Sequence, residues 1–150
     1  MRFHLIDRIE SFEAESSVRA RKVTSFSEEY WEERDGVLQM PPPFVLEALC
    51  QAATWLIIIS TEYRKRAALL QVGSVDWHAP VRPGEVLRME GEVDSFGEEA
   101  AVVSGRVTVD GTTVLEAKDV MCALIDADTL AGLDDTRRLR EMLAREGSET

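Results

Sequence analysis

One long apolar segment limits what this chain can fold into. Three prolines, Pro41-Pro42-Pro43, lead into FVLEALCQAATWLIIISTEYRKR, which is apolar around almost its whole helical circumference. Proline near the first turn is a typical helix start, so we predict one long helix with a basic end at Arg64, Lys65 and Arg66. A helix that is apolar on every side has to be covered on every side. The remaining sequence must therefore wrap around it.

The segments that flank this helix predict strands, and the four that follow it are rich in Val, Leu and Thr. They are residues 2–12 and 15–23 before the helix, and 68–78, 85–96, 101–109 and 112–125 after it. Asp110-Gly111 separates the last two runs, and Asp-Gly between such runs is a strong hairpin signal. The order predicts two strands, one buried helix and an antiparallel meander. We therefore expect an α+β fold in which the sheet wraps around the helix.

Between the second strand and the helix, the sequence predicts a short helical turn. Ser25 or Ser27 can cap a turn through residues 28–30, because an acidic first turn suits the helix dipole. Asp35-Gly36 is expected to end this turn, since Asp-Gly is a turn signal.

The last part of the chain is polar and predicts a helical tail. A candidate terminal helix there has an acidic cap, Asp134 or Asp135, and one apolar face. The residues of that face are Leu133, Leu139, Met142 and Leu143. We therefore divide the chain into a domain of residues 1–126 and a C-terminal helical tail of residues 127–150.

Charge and composition exclude several classes of partner. The 150 residues carry a net charge of −11, which disfavours nucleic acid and anionic membrane surfaces. The most apolar stretch, residues 52–60, is too short to span a bilayer, and Asp7 and Glu10 interrupt the place of a secretory signal. The two cysteines, Cys50 and Cys122, are expected to be buried free thiols. We expect a cytoplasmic protein.

Common catalytic motifs do not occur in the sequence. It has no glycine-rich phosphate loop, no Gly-x-Ser-x-Gly motif and no paired cysteines. Its two histidines, His4 and His78, have no metal-like spacing to a second ligand, and we expect both to be strand residues. We therefore expect neither a metal nor an organic cofactor.

Glu47 is the residue that most suggests a functional site. It lies on an otherwise apolar helix, and its neighbours on the same face include Pro43, Phe44, Cys50 and Gln51. Burying a carboxylate is costly unless a partner compensates it. Glu47 is therefore either a held functional group or a residue at the helix edge that reaches solvent.

Four segments resemble the (3R)-hydroxyacyl-acyl-carrier-protein dehydratases, in the same order along the chain. They are RFHLIDRIESFE, PPPFVLEALCQAA, WHAPVRPGEVL and VDGTTVLEAKDVMCA. The resemblance implies a hot-dog fold, an acyl-thioester substrate on acyl carrier protein or coenzyme A, and a place in fatty acid or polyketide synthesis. It also implies a homodimer, or a higher assembly, joined edge to edge through its sheets.

The resemblance assigns catalytic positions and also reveals two departures from the family pattern. The family pairs a central-helix Glu with a loop His from the opposite subunit, and Glu47 matches that Glu. The His position falls on Glu33, and Pro42 occupies the position of a family Gly. Backbone N–H groups at this helix start polarise the thioester carbonyl in the family. Proline has no backbone N–H, so the prolines at this helix start supply no donor. The donors of Phe44 and Val45 remain.

Three hypotheses for function follow from these positions. The first is a dehydratase-like enzyme in which Glu47 is the acid and Glu33 or a water replaces the histidine. Two adjacent carboxylates can divide acid and base roles. The second is a thioesterase in which Glu47 directs a water at the thioester. The third is a non-catalytic acyl-thioester binding or scaffold subunit, which the loss of His and Gly favours, whereas Glu47 and Gln51 favour an enzyme.

Two further sets of residues are candidates for substrate contacts. Trp55 and Leu56 would line a tunnel for the acyl chain along the helix, or they are simply core. Arg64, Lys65 and Arg66 would dock an acidic carrier protein or the phosphates of coenzyme A. Alternatively, these three basic residues only complement the C-terminal end of the helix dipole.

Overall fold

A six-stranded antiparallel sheet wraps around one long helix in the computed structural model, which describes residues 3–129 and 133–144. The elements are β1 (Arg8–Glu13), β2 (Ser17–Val23), β3 (Glu32–Arg34), β4 (Val37–Gln39), α1 (Pro42–Ser60), β5 (Lys65–Trp77), β6 (Val86–Phe96), β7 (Ala100–Val109), β8 (Thr112–Asp126), a 3-10 turn (Ala127–Thr129) and α2 (Leu133–Ala144). The strand order is β1-β2-β6-β7-β8-β5, and β3 and β4 form a separate hairpin. The predicted α+β arrangement is therefore confirmed.

The meander in the second half is shorter than predicted. β6, β7 and β8 follow one another in the sheet, but β5 pairs with the far side of β8, while β6 pairs with β2. The predicted β7–β8 hairpin is confirmed, with Asp110 at φ 48° and Gly111 at φ 79°. These left-handed values are what a two-residue hairpin turn requires. β5 is consequently an edge strand of the sheet.

α1 forms the centre of the core. Its buried residues are Val45, Ala48, Leu49, Ala52, Ala53, Trp55, Leu56, Ile57 and Ile58. Gly105 of β7 lets the sheet approach the helix, because an added Cβ there would lie 2.9 Å from Leu49 Cδ1 and 2.4 Å from Glu90 O. By length and composition alone α1 is apolar enough to cross a membrane, but core helices of soluble proteins pass the same test.

α1 ends at Ser60, earlier than the sequence predicts. Thr61 caps it by donating its backbone N–H (3.0 Å) and its hydroxyl (2.9 Å) to Ile57 O. Glu62 and Tyr63 then take left-handed φ values of 51° and 67°, which reverse the chain. The predicted basic helix end is therefore wrong, because the three basic residues at 64–66 lie in the following turn and at the start of β5.

The N-terminal segments also differ from the prediction. The first strand begins at Arg8, because the backbone at residues 3–5 bonds to the Gln51 side chain on α1 and not to a strand. Arg2 lies outside the described residues. The predicted helical turn at 28–30 is wrong, since residues 24–31 form only turns. Asp35-Gly36 is the tip of the β3–β4 hairpin, with φ values of 51° and 75°.

α2 packs against β1 and contacts the turn after α1 and the start of β5. Leu143 is buried, and the Arg140 guanidinium lies 5.8 Å from the Phe12 ring centre. Arg66 donates to Thr136 Oγ1 at 2.9 Å. The prediction that Met142 shares the buried face is wrong, because it is 59% exposed. The side chains of residues 133–135, including both predicted caps, lie outside those described, and the division after residue 126 stays a prediction.

Candidate functional site

Glu47 lies on the second turn of α1, partly buried, and has a fixed partner. Gln51, one helical turn later, donates from Nε2 to Glu47 Oε1 at 3.0 Å. Residues four apart on a helix face the same side, so this bond follows from the spacing in the sequence. The predicted carboxylate and its predicted supporting amide are thus brought together.

Gln51 is itself held by the N-terminal segment. Its Oε1 accepts the Leu5 backbone N–H at 2.8 Å, and its Nε2 also donates to Phe3 O at 3.1 Å. A side-chain amide has two donor hydrogens and two acceptor sites, and three bonds here fix its orientation. The Glu47 carboxylate oxygen that faces Gln51 is therefore held in a defined position.

The start of α1 lacks the free backbone donors that most helices offer. A helix normally leaves its first four N–H groups unpaired, but Pro41, Pro42 and Pro43 have none. The fourth, on Phe44, donates to Pro41 O at 2.9 Å, and Val45 donates to the same oxygen at 3.3 Å. The two predicted carbonyl-polarising donors therefore point along the helix, and neither is free in this protomer.

Glu33 occupies a different setting from Glu47. It is an exposed residue on β3, paired in register with Leu38 of β4. Among the described residues, no hydrogen bond or ion pair joins it to Glu47. The structure of one protomer therefore does not bring the two predicted carboxylates together.

An aromatic cluster covers the start of α1 beside Glu47. The Phe44 ring packs edge-on against Phe3 at 5.1 Å and against Tyr30 at 5.7 Å between ring centres. Phe44 lies three residues before Glu47, so both project from the same helical face. The cluster is therefore an apolar wall next to the Glu47–Gln51 pair.

The loop that carries Tyr30 is fastened by a lysine that sequence reasoning missed. The Lys22 side chain is 8% exposed, and its Nζ lies 2.6 Å from Glu28 Oε1 and 3.8 Å from Asp7 Oδ2. Glu28 also accepts a hydrogen bond from the Tyr30 hydroxyl. Burial and this carboxylate raise the pKa of Tyr30, so the phenol remains a donor. The sequence feature that could have identified Lys22 is its inward-facing position in the alternating pattern of β2.

The two thiols are free, as expected. Cys122 is buried, as predicted, whereas Cys50 is only partly buried. Burial, with the nearby Glu47 charge second, raises the pKa of Cys50 to about 12, and burial also raises that of Cys122. Neither thiol is therefore an activated nucleophile at neutral pH.

The remaining predicted contact residues lie away from Glu47. Trp55 and Leu56 are buried in the core around α1, at 8% and 0% exposure. Lys65 is paired with Asp126 at 2.6 Å, while Arg64 donates to Thr61 O at 3.0 Å and Arg66 to Thr136. A cavity of about 710 Å³ adjoins Arg64 and Lys65. The charged groups of Arg64, Lys65 and Arg66 are therefore partly engaged in contacts within the fold.

The histidines have no metal-binding environment. His4 is exposed ahead of β1, and His78 directly follows β5, where its Nε2 lies 3.2 Å from Glu116 Oε2. The prediction that they are strand residues is therefore off by a few positions. Within residues 3–129 and 133–144, no group of three potential ligands could hold a metal ion.

Comparison with known proteins places the chain in a family. The model of the FabA-like domain matches residues 1–118, which include Glu47 and Gln51. The chain belongs to the FabA-like family. The 3-hydroxyacyl-[acyl-carrier-protein] dehydratase FabZ of Solibacter usitatus is 33% identical over 128 residues, covering 84% of this chain and 78% of that enzyme. FabZ of Thermomicrobium roseum is 30% identical over 128 residues, covering 84% and 85%.

Solved structures share the fold of this FabA-like chain at low sequence identity. A Streptococcus mutans protein bound to acetyl CoA has a TM-score of 0.67 at 18% identity, covering 84% of this chain and 94% of that one. A thioesterase from Haemophilus influenzae has a TM-score of 0.62 at 14% identity, covering 79% and 77%. The predicted hot-dog fold and the predicted family are both confirmed.

Proposed function

We propose that this FabA-like protein binds acyl thioesters beside the Glu47–Gln51 pair and acts as a dehydratase-like enzyme on 3-hydroxyacyl thioesters. The observation that carries the proposal is the bond from Gln51 Nε2 to Glu47 Oε1, which keeps a carboxylate oriented on an apolar helix. A catalytic acid or base requires such fixed placement next to the reacting atoms.

The reaction removes a proton from C2 of the substrate and a hydroxide from C3, giving an enoyl thioester and water. In the proposed mechanism protonated Glu47 gives its proton to the leaving hydroxyl. The C2 proton goes to a second base, either Glu33 or a bound water. After product release, the second base gives its proton to solvent and Glu47 takes one up from solvent. Positioned acid–base groups typically contribute about 10²- to 10⁴-fold to such a rate.

No hydrogen bond or ion pair joins Glu33 to Glu47 within the described part of one protomer, so the proposal brings Glu33 to Glu47 from a second copy of the chain. We include a homodimer in the proposal, formed through the free edge of β5. This edge strand exposes Leu69 (52%), Leu70 (61%) and Val75 (42%), and exposed apolar edges favour strand pairing. Size-exclusion chromatography with light scattering should give twice the mass of the 150-residue chain. A Leu70→Lys variant should shift that mass toward the monomer, and a wild-type monomer would contradict the dimer.

A second candidate function is acyl-thioester binding without turnover. It is favoured by the start of α1, where three prolines and the bonds to Pro41 O leave no free N–H group. A developing negative charge on the thioester oxygen needs such donors, and losing one typically costs about 10²- to 10³-fold in rate. A scaffold or binding subunit has no such requirement.

One experiment separates these functions. The purified protein is incubated with 3-hydroxyacyl and saturated acyl thioesters, while enoyl formation and free thiol release are followed. The dehydratase proposal predicts enoyl product that is lost in Glu47→Gln and retained in the matched surface control Glu92→Gln. Reduced rate in Glu33→Gln would support Glu33 as the base.

The other outcomes each select a different function. Thiol release that depends on Glu47 would identify a thioesterase and reject dehydration. Ligand binding with neither product would support the binding subunit. Absence of both binding and turnover would reject the acyl-thioester proposal as a whole.

A further inference from the structure

Tyr30 holds a fixed position beside the start of α1, and the mechanism proposed above does not use it. It lies in residues 24–31, which form neither helix nor strand, so no ladder of backbone bonds holds this loop. Its ring nevertheless packs edge-on against Phe44, with 5.7 Å between the ring centres. Phe44 precedes Glu47 by three residues, and the Cβ atoms of such a pair lie about 5–6 Å apart on one helical face. The Tyr30 ring therefore belongs to the surroundings of Glu47.

Both oxygens of the Glu28 carboxylate help to hold this ring. The Tyr30 hydroxyl donates to Glu28 Oε2, which also accepts the Ser25 backbone N–H at 3.3 Å. Glu28 Oε1 lies 2.6 Å from the Nζ of Lys22, a buried residue of β2. Hydrogen bonds between ionised groups are stronger than those between neutral groups. The Tyr30 ring is thus tied to the sheet through Glu28, and it can leave Phe44 only by breaking these bonds.

The surroundings of Glu47 have a polar side and an apolar side. The Gln51 amide and the backbone of residues 3–5 form the polar side. The rings of Tyr30 and Phe44, both partly exposed, form the apolar side. In the proposed reaction the C3 hydroxyl of the substrate comes within about 3 Å of the Glu47 carboxyl group. The next carbon of the acyl chain, C4, is apolar, so it packs against the two rings and not against the amide.

We infer that Tyr30 is a specificity-determining residue that excludes acyl groups branched at C4, and that Lys22 and Glu28 are its positioning residues. The inference rests on the proposed function, which brings the C3 hydroxyl to Glu47. A ring that is free to move gives way to a methyl branch, whereas a tied ring does not. One carbon more or less in a packed pocket typically changes rate or affinity about 10- to 200-fold. The site should therefore prefer unbranched 3-hydroxyacyl groups.

Two isomeric thioesters test this selection. The 3-hydroxyhexanoyl and 3-hydroxy-4-methylpentanoyl thioesters of coenzyme A have the same atoms and differ only in the branch at C4. Dissociation constants for both are measured with wild type and variants, and kcat and KM are measured wherever enoyl product forms. The decisive quantity is the preference, defined as the ratio of the values for the two isomers. A variant that is partly unfolded loses active protein for both isomers equally, so this loss cancels in the ratio.

The variants should separate the ring from the bonds that hold it. Wild type should prefer the unbranched isomer about tenfold, and Tyr30→Ala, which removes the ring, should reduce this preference to about twofold or less. Lys22→Met keeps the ring but loosens Glu28, so its preference should be about threefold. Lys22→Arg should keep the wild-type preference. Phe26→Ala is the matched control and should also keep it, because Phe26 lies on the same loop but is 75% exposed.

Tyr30→Phe keeps the test decisive if Tyr30→Ala does not fold, because it removes only the hydroxyl that reaches Glu28. A reduced preference in Tyr30→Phe and Lys22→Met supports the inference. Equal values for the two isomers in wild type, or an unchanged preference in both of these variants, overturns it. A preference that Phe26→Ala reduces as much as Tyr30→Ala also overturns it, because the whole loop and not Tyr30 would then select. Failure of the proposed function looks different, since Glu47→Gln would leave turnover unchanged while the ratio of dissociation constants still depended on Tyr30.

Discussion

The two Asp-Gly hairpins of this protein have nearly the same turn and very different roles. Asp110-Gly111 has φ values of 48° and 79°, and Asp35-Gly36 has 51° and 75°. The first joins strands of 10 and 15 residues inside the main sheet. The second joins two strands of three residues each, apart from that sheet.

The difference lies in what each hairpin packs against. The arms of the scaffold hairpin, β7 and β8, bury residues such as Val107, Leu115 and Ala117 against the core. The site hairpin, β3–β4, leaves Glu33 and Arg34 exposed, and it carries one candidate catalytic residue. The same local turn chemistry therefore supports stability where its strands are covered, and exposes functional groups where they are short.

The largest effect should come from crowding the scaffold hairpin. In Gly105→Ala, the added Cβ would lie 2.4 Å from Glu90 O and 2.9 Å from Leu49 Cδ1, and a backbone oxygen cannot move aside cheaply. We expect a loss of about 3 kcal/mol in the free energy of unfolding, measured by urea denaturation. A loss below about 1 kcal/mol would show that the sheet and α1 are not packed as closely as described.

The next effect concerns the loop that leads into the site hairpin. Lys22→Met leaves Glu28 without its nearest cation, and we expect a loss of about 2 kcal/mol at pH 7. Burial would raise the pKa of Glu28, but hydrogen bonds from Lys22 and Tyr30 outweigh it and hold that pKa below 4.5. A carboxylate whose pKa is lower in the folded state than in the unfolded state stabilises the fold at pH values above the unfolded pKa. This stabilisation is lost as the pH falls through the folded pKa.

The pH dependence of this variant is therefore a specific signature. The difference in unfolding free energy between wild type and Lys22→Met should be full at pH 7 and should shrink as the pH falls below about 4.5. Urea titrations at several pH values measure it. Lys22→Arg is the matched control and should keep most of the stability. A difference that does not change with pH would show that the charge interaction between Lys22 and Glu28 does not cause the loss of stability.

The smallest effect compares the two turns directly. Gly111→Ala forces a Cβ into a left-handed conformation and should cost about 1 kcal/mol. Gly36→Ala meets the same strain, and neither added Cβ contacts other atoms. Because β3–β4 can open without unfolding the core, we expect a global loss below about 0.5 kcal/mol for Gly36→Ala. Equal losses would mean that the site hairpin is as much a part of the cooperative fold as the scaffold.

The scaffold was predictable because its signals are local and repeated. Val-rich and Thr-rich runs bounded by Asp110-Gly111 indicate strands whichever partner they find. The position of β5 beyond β8 was not predictable from these runs, because strand order depends on pairings distant in sequence. The end of α1 was missed for a similar reason, since Thr61 stops the helix through its own capping bonds.

The site was only partly predictable. Glu47 and Gln51 share a helical face, so their four-residue spacing was enough to pair them. The role of Lys22 depends on Glu28, Asp7 and Tyr30, which meet only after folding.

The central claim is that Glu47 remains a working acid–base group in a site that lacks the family histidine. Its most direct test is the rate of enoyl formation from a 3-hydroxyacyl thioester, measured for wild type and for Glu47→Gln under identical conditions. The account predicts measurable enoyl product from wild type and a loss of at least about 100-fold in the variant. Equal rates for the two proteins, or no product from wild type while the thioester remains bound, would contradict it.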